Sequence, residues 1–184
     1  GAHRWLHDAS TGSPGLGRVG GKAHRLLELH REGYPVPAPL AIEADAFRDH
    51  VRTMPPDHPE PRRWIVEHEL DRNLSDAILA VLPQDLGHGY AVRSSALCED
   101  GSENSFAGQL ATRLGVGATE IGSALKAVWA SALSDSVRAY ADQRGLAGQA
   151  IVPGVVIQPL LDPDHSGVAF GFDPSGGSRR VVSV

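Results

Sequence analysis

The run from Tyr90 to Gln109, YAVRSSALCEDGSENSFAGQ, constrains this chain more than any other stretch. It opens apolar at Tyr90, Ala91 and Val92 and delivers Arg93 where the apolar residues give way to Ser94 and Ser95. The acidic pair Glu99 and Asp100 follows. Then comes a loop of small residues, Gly101, Ser102, Asn104, Ser105, Ala107 and Gly108, with Phe106 as its one large apolar member. An arginine at a strand end offers phosphate a bidentate fork, and small loop residues leave backbone amides open to close approach. A Gly/Ser hairpin connection with one surface arginine accounts for the same residues without a ligand. Beyond Gly108, residues 109–116 alternate, with Leu110, Thr112, Leu114 and Val116 on one face and Ala111 and Arg113 on the other. That alternation predicts a half-buried strand, and the loop before it would be a hairpin-like lid over bound phosphates.

The remaining segments are read in order. Trp5 and Leu6 can anchor the N-terminal dozen residues, and Gly12 to Gly17 reads as a loop. Val19-Gly20-Gly21-Lys22 opens a helix whose face is Ala23, Leu26, Leu27 and His30, with Gly33 placed to end it. Two glycines at a helix N-terminus let an anion reach the free amides, and Lys22 adds a positive charge there. A glycine-initiated surface helix is the plainer reading. The prolines of residues 34–39 force an extended segment. Leu40 to Ile42 reads as a strand and Ala44 to Val51 as a short helix. The proline-rich residues 53–61 read as a loop. Trp64 to Leu82 reads as helical, with Ser75 capping a second piece, Asp76 to Leu82.

Thr119 to Leu133 carries the clearest helical stripe: Ile121, Ala124, Leu125, Val128, Trp129 and Ala132. Trp129 fits a core residue better than a ligand platform. Ser134 to Arg144 continues as a second helix with Val137 and Tyr140 inward. Val155 to Leu161 is an apolar strand interrupted by Gln158 and Pro159. The Gln158 amide must be satisfied, either by a nucleotide base or by water at a sheet edge. Ser166 to Phe172 reads as another strand, and Arg179 to Val184 as the start of one more.

Composition narrows the class. The 184 residues suffice for one domain or two small lobes, and 41% hydrophobic with 21% charged residues is ordinary for a globular protein. A formal net charge of −5 argues against a nucleic-acid partner. No apolar run approaches the ~20 residues that cross a bilayer, the first ten residues lack a signal-peptide core, and the single Cys98 permits no internal disulfide. The cytoplasm is the expected compartment, with no membrane partner. All but Lys22 and Lys126 of the 17 basic residues are arginines, so a lysine hints at a site needing a compact point charge. No cysteine pair, no G-x-S-x-G elbow and no GxxxxGK[ST] loop is present.

AVRSSA, the following Glu99-Asp100 and SFAGQ together resemble the nucleotide-binding segment of one family. It is that of phosphoenolpyruvate synthase, pyruvate phosphate dikinase and rifampicin phosphotransferase. Residues 20–42 (GGKAHRLLELHREGYPVPAPLAI), 126–140 (KAVWASALSDSVRAY), 155–161 (VVIQPLL) and 166–174 (SGVAFGFDP) are similar to further family stretches in the same order. The resemblance implies an α+β domain of ATP-grasp type. Residues 1–88 would form a mainly helical part with the GGK helix, and residues 89–184 a mixed strand and helix part. It implies ATP with Mg2+ as ligands and five ATP-binding residues. Lys22 and Arg93 would neutralise phosphate, Gly108 and Thr112 would lie at the lid loop, and Gln158 would meet the base. For Thr112 the alternative is an ordinary strand threonine. The chain departs from the family at Leu160, where methionine is common, and at Gly171, where a hydroxyl residue is usual.

By the same resemblance the domain is C-terminally incomplete. The family's magnesium-holding acidic residue, its later glutamine and arginine, and its phosphohistidine and acceptor domains have no counterpart in this sequence. Those parts are then expected as partners in cis or in trans, and the chain by itself as a poor catalyst. In family members ATP donates a phosphoryl or pyrophosphoryl group to a histidine carrier, releasing AMP and phosphate. A small acceptor, such as pyruvate or an antibiotic hydroxyl, then receives the group. A non-catalytic nucleotide- or partner-binding module derived from the family is the alternative function. An exposed sheet edge at Val181 to Val184 would favour a homodimer.

Overall fold

A computed structural model describes residues 4–12, 14–96, 110–143 and 151–167 of the chain. Their elements run β1 (Leu6–His7), α1 (Leu16–Val19), α2 (Gly21–Arg31), β2 (Leu40–Ile42), α3 (Ala44–Val51), α4 (Pro61–Glu67) and α5 (Arg72–Val81). They continue with β3 (Tyr90–Ala96), β4 (Thr112–Val116), α6 (Ile121–Ser131), α7 (Asp135–Gln143) and β5 (Pro153–Pro159). The strands form a five-stranded sheet in the order β1-β2-β5-β3-β4, every neighbouring pair antiparallel. The class is α+β.

Residues directly opposite one another in antiparallel strands point to the same face. Leu40 pairs with Ile157 and Ile157 with Val92, while Ile42 pairs with Val155. These side chains enter the main core with Phe47 of α3, Ile65 of α4, Leu74 and Ile78 of α5, and Ile121, Leu125, Val128 and Trp129 of α6. The stripe read along residues 121–132 is buried throughout. At roughly 1.5–3 kcal/mol for each large side chain removed from water, this face supplies most of the fold's driving force. The opposite face is covered by α1 and α2. Val19, Ala23 and Leu27 pack there on Ala41 and Val156.

Three expectations need correction. First, residues 64–82 form two helices, and the second starts from Asp71, whose Oδ1 accepts from Leu74 N at 2.9 Å, not from Ser75. Asp71 offers its carboxylate at the first place where the chain turns after α4, so the later serine is left inside the helix. Second, the alternation across residues 109–116 breaks. Pairing of β3 with β4 shifts register between Tyr90 and Val92, and Gly115 at φ +66° supplies the left-handed residue of a bulge. Val116 therefore turns to the core face while Leu114 is left 63% exposed, so this edge strand is mostly solvated. Third, Leu16 and Gly17, read as loop, already belong to α1.

Candidate functional site

Gly20 sits at φ +77°, a conformation that favours glycine, and acts as the N-cap of α2 without offering a side chain. The first-turn amides of α2 must therefore find acceptors elsewhere. One comes from β3, since Ala23 N donates to Ser95 Oγ at 2.9 Å within the buried interior. The neighbouring Lys22 Nζ donates to the Ser94 carbonyl at 2.9 Å. Gly154 of β5 lies opposite Ser95, and a Cβ added there would stand 2.6 Å from the Val19 carbonyl and 3.0 Å from that of Ser95. The GGK turn is thus seated directly on the ends of β3 and β5. In β5 a glycine at position 154 is required by the approach of one backbone to another.

The register sets the other residues. His7, Ala41, Val156, Arg93 and Thr112 form one row across all five strands, on the face that α2 covers. Arg93 is half-buried and lies directly opposite the exposed Thr112. Gln158 pairs with Ala91, two residues from Arg93, and so shares this face. The structure therefore brings Lys22, Arg93, Thr112 and Gln158 to one side of the sheet. Gly108 lies outside the described residues, as do the Glu99-Asp100 pair and the Val181 to Val184 segment.

Gln158 is 6% exposed and belongs to the central strand, so the reading that put it at a water-facing edge does not hold. Its Nε2 donates to the Pro37 carbonyl at 2.8 Å, which ties the extended proline segment to the sheet. Pro159 is tolerated because it closes β5, two residues past the last pairing with β2 at Ile157. Lys22 stands in the first turn of α2, where no acidic residue balances the helix dipole. A cation at that end opposes the usual charge preference and suits a site for an anion. Among the described residues no group of three or more His, Cys, Asp or Glu side chains is placed to hold a metal ion, so no Mg2+ ligand is assigned.

A second polar cluster lies at the far end of the same row. Glu43 is 1% exposed, accepts from Arg18 Nη2 at 2.6 Å and also bonds His7 Nε2. A carboxylate buried to that degree needs such partners, and here they fasten α1 to β2. It borders a cavity of about 430 Å3 with Arg4, Arg18, Arg48 and Arg52 on its walls. That cavity lies away from Lys22 and Arg93. Ser95 and Gly154 were not singled out in the sequence. The signal for Ser95 was the absence of any side-chain acceptor at Gly20-Gly21, which demands a cap from another part of the chain.

The sheet with helices on both faces defines an α+β domain whose glycine-led helix covers the face that carries Arg93, a residue inside β3 and not at the strand end the sequence suggested. The family model of the pyruvate phosphate dikinase AMP/ATP-binding domain matches residues 51–184, and the chain belongs to that family. It is 36% identical over 182 residues to the prodigiosin synthesizing transferase PigC of Serratia marcescens, covering 91% of this chain and 20% of that protein. A rifampicin phosphotransferase from Streptomyces sp is 34% identical over 194 residues, covering 92% and 22%. The phosphoenolpyruvate synthase of Escherichia coli strain K12 is 30% identical over 199 residues, covering 91% and 25%. The chain therefore spans 20% to 25% of the length of these relatives. No helix among the described residues is long and apolar enough to cross a membrane.

Proposed function

We propose that this chain is the ATP-binding part of a dikinase-type phosphotransferase with an ATP-grasp fold. The observation that carries the reading is the junction of α2 with β3. The ammonium of Lys22 rests on the carbonyl of Ser94, the residue that follows Arg93 in the strand. Two residues of different shape but like charge are thus carried by adjoining segments, Lys22 in the first turn of α2 and Arg93 within β3. Lys22 would act as a compact point charge and Arg93 as a bidentate fork on phosphate oxygens. Thr112, opposite Arg93 on the edge strand, would donate its hydroxyl, and Gly108 would let the lid loop approach the phosphates. Gln158 would present its Oε1 to an exocyclic amine of the base, its Nε2 being held by Pro37.

ATP would supply the transferred group, and Mg2+ bound with it would neutralise its charge. The chain's own part is to bind and orient the phosphates at the α2–β3 junction and to keep water from them. Transfer to a histidine carrier and onward to a small acceptor, such as pyruvate or an antibiotic hydroxyl, would involve the rest of the family's architecture in cis or in trans. The chain alone would then be inactive. The cytoplasm is the compartment that fits a lone cysteine and a nucleotide substrate.

The test is a calorimetric titration with ATP–Mg2+ of the wild-type chain and of Lys22→Ala and Arg93→Ala. Saturable binding weakened about tenfold or more by each substitution is expected, as for loss of a charged phosphate contact. A folded wild-type chain that shows no binding would sink the nucleotide reading. The second reading is a non-catalytic nucleotide- or partner-binding module derived from the family. Adding the remaining portion of such a relative in trans separates the two, because only a phosphotransferase part restores AMP production.

A further inference from the structure

We propose that Ser95 is a positioning residue, whose hydroxyl fixes Lys22 relative to Arg93; the proposal rests on the nucleotide reading above. Most helices are capped by the side chain of their own N-cap residue. Here that residue is Gly20, and the acceptor comes from a strand 72 positions further along, with Ser95 Oγ taking the Ala23 amide at 2.9 Å. Ser95 has no exposed surface, so water cannot replace it. The hydrogen bond links two short segments that each carry one cation. Lys22 immediately precedes the capped amide, and Arg93 lies two residues before Ser95 on the same face of β3.

The far side of the junction is closed by the Val19 carbonyl, which packs where a Cβ of residue 154 would be. The helix start is thereby seated on β5 by a close backbone contact and held to β3 through the Ser95 hydroxyl. A phosphate that takes both cations requires their separation to be held within about half an ångström. Without the hydroxyl the Ala23 amide would be buried with no acceptor at that position. The first turn of α2 would relax toward solvent and carry Lys22 with it.

The experiment compares Ser95→Ala and Ser95→Thr by ATP–Mg2+ titration, in the wild-type and in the Lys22→Ala background, with thermal unfolding in parallel. Thr keeps the hydroxyl and is expected to hold affinity within about threefold, whereas Ala should weaken it about tenfold, the size of a lost cap. In the Lys22→Ala background, Ser95→Ala should cause no further loss, because the residue acts through Lys22. A purely structural serine would lower the unfolding temperature in both backgrounds and give affinity losses that simply add. That additive result, or an alanine variant with wild-type affinity, overturns the proposal while leaving the nucleotide site intact. Wild-type protein that fails to bind removes the nucleotide reading and this proposal together. Should the alanine variant not fold, Ser95→Cys, a weak acceptor, takes its place under the same criteria.

Discussion

The two faces of the sheet are built from different materials. On the core face Leu40, Ile42, Val92, Val155 and Ile157 meet α3, α4, α5 and α6 in one continuous apolar cluster. On the other face Ala41 and Val156 join the smaller cluster under α1 and α2, and the row they belong to ends in His7 on one side and in Arg93 and Thr112 on the other. Alternation along a strand lets one segment serve both purposes. In β3, Val92 is fully buried in the core while its neighbour Arg93 faces the α2 side. The apolar face therefore sets how stable the domain is, and the other face decides what it can hold.

Substitutions can break this contrast. The largest effect is expected from Trp129→Ala on the core face. Trp129 is fully buried against Phe47 and His50, with ring centroids 5.8 Å and 5.2 Å away. Its truncation should cost about 3–5 kcal/mol. Denaturant unfolding would show it, and a loss under 1 kcal/mol would mean the core face is not where stability resides. Gly154→Ala is the sharper test, because it places a methyl into the α2–β3–β5 junction. A stability loss of about 1–3 kcal/mol is expected from the enforced backbone shift, together with weaker ATP–Mg2+ binding. Unchanged binding would show that the two faces are uncoupled at this point.

The smallest effect is a pH dependence from the core face. His50 is buried and its pKa is held below the ordinary 6.5, chiefly by loss of hydration, with His68 and Lys126 adding repulsion against the hydrogen bond to the Ile65 carbonyl. The folded state thus takes up the proton at lower pH than the unfolded chain. Between the two values the unfolded state binds more protons, so stability falls as pH drops below about 6.5 and levels off above it, with a slope of at most about 1.4 kcal/mol per pH unit. Unfolding midpoints measured from pH 5 to 8 should show this slope. It should shrink in His50→Gln, and an unchanged slope would place the titrating group elsewhere.

Local pattern carried much of the fold. The strand at Leu40 to Ile42 and the helix at Ala44 to Val51 stand where the residues placed them, and the stripe from Ile121 to Ala132 packs as its 3.6-residue period required. These are short-range consequences of periodicity and backbone preference. Two of the misreadings were also local in origin. Asp71 competed with Ser75 for the role of cap, and a single left-handed glycine at residue 115 reversed the facing of the residues beyond it.

For the site, the sequence by itself determined the chemistry on offer: an ammonium after two glycines, a guanidinium next to a serine pair, and an amide within an apolar strand. Those depend only on side-chain type and immediate neighbours. The tertiary structure alone decided their partnership. It set β5 between β2 and β3, which buried Gln158 in the centre of the sheet, and it paired Arg93 with Thr112. It also brought Ser95 within 2.9 Å of the Ala23 amide across 72 residues of chain. Strand order and register arise from the joint burial of many side chains, and a contact between distant segments is fixed only when that burial is complete.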